Sequence, residues 1–208
     1  MGIEMLRAGD IGFGPIGGAA GLLVWAGQKI VDATTPEESR FKHALVVTDG
    51  LRPGSPPPAG EMDRVRIVQA MPSGAEEIEV GAEHWTPEYL YIRPHYKVDR
   101  DGYEDVSARV AAAAHAYVGT PYSFLDYAAI AGVHLGIKNG LIRRYVTTSR
   151  HMICSQLCDQ AMTEAGWHVF TDGRLPQDVT PAALYRQMMK MPGQYIVGGT
   201  NVWRPTAG

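Results

Sequence analysis

The run Met152-Ile153-Cys154-Ser155-Gln156-Leu157-Cys158, closing on Gly166, sets a cysteine where a thiol can be made reactive. Ile153, Leu157 and Ala161, flanked by Cys158, Met162 and Ala165, recur at helical spacing, so the segment predicts a helix that begins near Cys154 and is stopped by Gly166. In the first turn, Cys154 meets unpaired backbone N–H groups and the positive end of the macrodipole, and both favour a thiolate over a thiol. From this helix alone, two core cysteines are an equally good reading, because Cys is among the most buried residue types. Cys158, one turn deeper, reads as structural.

The elements that must position such a sulfur follow from the rest of the chain. Ala8–Phe13 reads as a turn feeding a short strand, and Ala19 to about Val31 as a helix. Phe41–Thr48 is a β-rich run that contains His43, and Leu51–Gly60 is a Pro-rich surface loop. In Arg64–Ala70, Val65, Ile67 and Gln69 alternate against Arg64, Arg66 and Val68, the pattern of a half-buried strand whose inward set ends in an amide. Glu76–Val80, Tyr89–Arg93 and Tyr195–Val197 give further strands. Glu104–Val118 and Phe124–Ile137 give helices, as does the segment after Thr180-Pro181, an N-cap followed by an N1 proline. The sum is an α+β fold, a meandering antiparallel sheet with helices packed against it.

Gly12-Phe13-Gly14-Pro15-Ile16-Gly17 is a literal G-x-G-x-x-G between strand and helix. The dinucleotide reading is set aside because the next strand ends at Asp49, well past the ~20 residues at which a ribose-binding acid is expected. Pro15 also stiffens the loop, and no further βαβ unit follows. A close backbone approach is the better account of these glycines.

Leu6-Arg7-Ala8-Gly9-Asp10-Ile11, Lys42-His43-Ala44-Leu45-Val46-Val47 and Ile67-Val68-Gln69-Ala70 look like the second half of an NlpC-type papain-like cysteine peptidase. Tyr117–Tyr122, Ile153-Cys154-Ser155-Gln156-Leu157 and Gly166 look like its first half. With the halves in this order, the chain resembles the circularly permuted branch, the YiiX-like proteins and relatives of lecithin retinol acyltransferase, in which histidine precedes cysteine. Cys154–Leu157 with Gly166 and Thr180-Pro181-Ala182-Ala183-Leu184 is the most specific part. Two departures stand out: the long insertion between Tyr122 and Cys154, and an uncharged Gln69 where relatives often carry Glu or His.

The resemblance implies a papain-like sheet and a thiol hydrolase, with an acyltransferase or thioesterase on lipid substrates, or an inactive binding or structural protein of the same fold, as alternatives, and the chemistry can be argued in its own terms. A thiol attacking an amide or ester carbonyl needs a base within hydrogen-bond reach, and the base needs a third group to fix its ring. Cys154 is the nucleophile, His43 the base that later protonates the leaving group, and Gln69 the brace, orienting the ring without a carboxylate's charge. The Cys154 backbone N–H is the first oxyanion donor. Tyr122 and Ser155 are further candidates for lining the oxyanion and substrate site. Metal binding is the competing class: His151-x-x-Cys154-x-x-x-Cys158 offers three ligands, but neither a C-x-x-C pair nor an H-E-x-x-H run accompanies it. No metal and no cofactor is expected.

A chain of 208 residues, 45% hydrophobic and 20% charged with net charge −3, suits one globular domain over 1–208 and gives no electrostatic reason to expect nucleic acid. The N-terminus has no export pattern, and Leu6 breaks the myristoylation motif. Ala19–Ala26 and Ala128–Ile137 fall short of the ~20 apolar residues of a bilayer span. The expectation is a protein cytoplasmic as synthesised, acting on a peptide, cell-wall or acyl-lipid substrate. Wall hydrolysis would then require lysis, a dedicated secretion route or carriage on a phage particle.

Overall fold

The β-rich runs join into one antiparallel sheet. Its strands are β1 (Ile11–Gly14), β2 (His43–Asp49), β3 (Arg66–Met71), β4 (Gly74–Glu79), β5 (Leu90–Pro94) and β6 (Gly193–Val197), in the order β4-β3-β2-β1-β5-β6. The computed structural model describes residues 6–32, 34–50, 65–84, 86–95, 103–121, 153–174, 178–191 and 193–197. The expected Leu51–Gly60 loop and Phe124–Ile137 helix lie outside them, as do Tyr122 and His151. β1 to β4 run as a meander, while β5 returns to the far side of β1, so the two strands carrying His43 and Gln69 are central neighbours with Leu45 opposite Gln69. β3 and β4 are joined by the two residues Pro72-Ser73, and Gly74, at φ +123°, takes a backbone angle that a side chain would oppose.

Helices α1 (Gly18–Asp32), α2 (Tyr103–Ala116), α3 (Cys154–Glu164) and α4 (Pro181–Met188) complete the α+β architecture. On one face of the sheet, Phe13, Ala44, Val46, Val68 and Ala70 pack against Val110 and Ala114 of α2 and Leu157, Cys158, Ala161 and Met162 of α3. On the other, Leu45, Val47, Val65, Ile67, Tyr89 and Tyr91 form a second apolar layer. The half-buried strand expected at Arg64–Ala70 is therefore corrected. Val68, read as outward, is fully buried because α3 covers it, and Ile67 is equally buried on the other side.

Helix ends follow local chemistry. Thr180 caps α4, its Oγ1 accepting the Ala183 N–H at 3.1 Å with Pro181 at the first helical position. Gln28 of α1 accepts the Ala182 N–H at 3.0 Å and so ties α1 to the start of α4. Gly166, at φ +85°, closes α3, and the Trp167 N–H returns to the Met162 carbonyl at 2.9 Å. Among the described residues no helix is long and apolar enough to cross a membrane.

Two of the three glycines of the G-x-G-x-x-G run have a packing explanation, whereas a Cβ on Gly17 would meet open space. Gly12 and Gly14 lie within β1, where a Cβ on Gly12 would come within 2.8 Å of Tyr91 Cε1 and one on Gly14 would strike the Tyr89 ring. Gly14→Ala is expected to destabilise the fold by about 1–3 kcal/mol through overpacking. Urea unfolding checks it: Gly14→Ala should cost less in a Tyr89→Ala background, and an equal cost in both would discount the aromatic contact.

Candidate active site

β2 carries the two residues between which the site is built. Alternation sends His43, Leu45 and Val47 to the aromatic face and Ala44 and Val46 to the face under α3. Gln69 on β3 lies diagonally from His43 on the same face, and His43 Nε2 bonds Gln69 Oε1 at 2.8 Å with both residues buried. The hydrogen bond expected between His43 and Gln69 is thus present. The same bond leaves His43 Nδ1 as a buried ring nitrogen without a hydrogen-bond partner.

Cys154 approaches from the other side of β2. It heads α3, whose N-cap residue Ile153 has no polar side chain; Gln156 Oε1 instead reaches back to the Ile153 N–H at 3.4 Å. With no side-chain cap to consume them, first-turn N–H groups remain free for the site. The backbone N–H groups of Ala44, Ser155 and Cys154 are directed at the Cys154 sulfur. The sulfur therefore reaches the sheet at the His43–Ala44 peptide from the face of Ala44, whereas alternation puts the His43 ring on the opposite face of β2. Thiol and imidazole are not hydrogen-bonded in this state, since Nδ1 has no partner.

The electrostatics describe a neutral resting pair. Burial pushes the Cys154 thiol up to about 11, outweighing the three N–H groups that favour the thiolate. The depressed thiol expected from the helix terminus is thereby corrected: desolvation wins over the helix end when no cation is engaged. Burial also holds His43 down to about 4; the Gln69 bond opposes this and the charge of His84 adds to it. At neutral pH both groups are uncharged.

The remaining candidates are placed differently. Ser155 is fully buried and its hydroxyl donates to the Val179 carbonyl at 2.6 Å, so it fastens the start of α3 to the segment before α4 and has no hydroxyl to offer a substrate. Its contribution to the site is its backbone N–H. Cys158 lies in the core under the sheet. Among the described residues no group of three or more His, Cys, Asp or Glu could hold a metal ion.

One site residue escaped the sequence reading. Glu76 on β4 is directly opposite Gln69, and Gln69 Nε2 donates to Glu76 Oε1 at 3.1 Å. The cross-strand register was the signal, and it is visible only once the two-residue turn is fixed. The chain matches no family model and no curated protein.

Proposed function

We propose that this chain is a thiol hydrolase of the permuted papain-like type. It cleaves an amide, in a peptide or a peptidoglycan stem peptide, or an ester, through a cysteinyl acyl-enzyme. The observation that carries the reading is the His43–Gln69 bond, which fixes the imidazole by one nitrogen and leaves the other unpartnered beside the peptide whose N–H faces the Cys154 sulfur. Nδ1 takes the proton from Sγ as the S–C bond forms, and the Cys154 N–H stabilises the resulting oxyanion. Collapse breaks the bond to the amine or alcohol, which leaves with the proton from His43. Water, deprotonated by the same nitrogen, then attacks the thioester and frees the acid and the thiol. This reaction requires Cys154 Sγ and His43 Nδ1, which are not bonded to one another in the structure, to come within hydrogen-bond distance.

A second reading, a binding or structural protein that keeps the fold without turnover, is favoured by one observation: Cys154 is 1% exposed, with its thiol pushed up to about 11. Intact-mass analysis separates the two. Incubation in parallel with muropeptides and with acyl-lipid or acyl-thioester substrates is expected to give an acyl adduct and product in the wild type, and neither in Cys154→Ala. Absence of adduct and product across both substrate sets, with Cys154 inert to iodoacetamide, would select the second reading.

A further inference from the structure

The chain of polar contacts does not end at Gln69, and its direction is forced. A carboxylate only accepts hydrogen bonds, so the Gln69 contact with Glu76 at 3.1 Å must use the amide NH2 as donor. The amide oxygen is then the atom presented to His43, 2.8 Å from Nε2. An oxygen acceptor requires a proton on Nε2, and because the buried ring is neutral, Nδ1 carries the lone pair. Each assignment follows from the one before it, beginning at Glu76.

We infer that Glu76 is a positioning residue that sets the tautomer of His43 through the orientation of the Gln69 amide. The inference rests on the proposed role of His43 as base and adds what makes Nδ1 its basic atom. Without a fixed acceptor at position 76, the Gln69 amide can turn over and present its NH2 to Nε2. The proton would then move to Nδ1, the nitrogen that must receive one from the thiol, and the base would be disabled. It also explains how an uncharged brace can serve: the carboxylate stands one residue further out, on the neighbouring strand, half-buried and in register with the amide.

The test moves the carboxylate without removing it. In the exchange variant Q69E/E76Q, position 69 accepts from His43 Nε2–H and from the amide of position 76, so the donor order toward His43 is restored. In Glu76→Gln alone, two facing amides satisfy either orientation equally. Long-range 1H–15N correlation spectra of 15N-histidine-labelled protein read the tautomer of His43 directly, whether or not a substrate is known. The wild type and the exchange variant are expected to show the Nε2–H form, and Glu76→Ala and Glu76→Gln a mixture or the Nδ1–H form. The rate of Cys154 alkylation by iodoacetamide should fall about tenfold in the two single variants and return to within about threefold of wild type in the exchange variant. An Nδ1–H wild type, a tautomer unchanged in Glu76→Ala, or an exchange variant no better than Glu76→Gln would overturn the inference. Tautomers that follow the carboxylate while alkylation ignores His43→Ala would instead remove the proposed reaction and leave the positioning role of Glu76 standing.

Discussion

His43→Ala is expected to lower kcat/KM, on whichever acyl substrate the chain accepts, by about 10²–10⁴ at neutral pH, the range a positioned general base supplies. The structure gives the reason for the upper end. A thiol held at about 11 is ionised in roughly one molecule in 10⁴ at pH 7, so without a base nearly all of the chain would be the wrong species for attack. The pH profile carries the sign. His43 is held down to about 4, so its basic form is present at every pH above that and the acid limb of wild-type kcat/KM should fall near 4 instead of near 6.5. In His43→Ala the remaining rate should rise about tenfold per pH unit toward pH 11, as hydroxide replaces the lost base. A variant that keeps wild-type rate at pH 7, or a wild-type rate that itself climbs tenfold per unit, would show that the imidazole takes no proton from Cys154.

Burial of a neutral imidazole also couples this site to folding. A histidine whose folded pKa is depressed binds its proton more readily in the unfolded chain, so stability falls as pH drops from 6.5 to about 4 and this loss is complete below it. The imidazole is thus held neutral by the same desolvation that makes the protein less stable in acid. Gln69 is what keeps such a ring from being an unsatisfied polar group on both sides.

Most of the frame was legible because it rests on short-range rules. The start of α3 at Cys154, its stop at Gly166, the Thr180-Pro181 start of α4 and the strands through His43 and Gln69 each follow from spacing and capping. What the chain did not disclose depends on register and on what covers a face. Alternation points Val68 outward because it reports that two faces differ, and α3 makes both faces apolar here. Gly12 and Gly14 look like a phosphate loop until Tyr91 and Tyr89 are seen lying over them. Glu76, Glu77 and Glu79 are indistinguishable as letters. The turn decides that Glu76 faces Gln69 while Glu77 meets Thr48, Arg66 and His115. The raised thiol pKa is not legible in the chain, because a helix terminus is local and visible whereas desolvation belongs to the whole fold.

Arg93→Met is expected to cost about 3–5 kcal/mol of stability, the scale for breaking a buried ion pair and leaving one charge behind. Asp10 and Arg93 have side chains only 1% and 4% exposed, and they meet in two bonds, Nε to Oδ1 at 2.9 Å and Nη2 to Oδ2 at 2.8 Å. Oδ2 also accepts the Arg7 N–H at 2.8 Å, closing the turn that launches β1. The Asp10 backbone is itself in the ladder to β2, its carbonyl accepting the Val47 N–H at 2.9 Å. Arg93 on β5 thus pins the turn that fixes the register of β1, and through β1 the placement of His43 opposite Gly14. A methionine of similar reach fills the space and strands the carboxylate. Asp10→Asn in the same chain removes that charge and keeps an acceptor for Arg7, so the double variant should recover all but about 1–2 kcal/mol, as replacement of both partners does elsewhere. Equilibrium urea unfolding of the three proteins measures this. A loss of under about 1 kcal/mol in Arg93→Met would mean that Asp10 finds water or another partner, and the turn would then owe its geometry to the backbone alone.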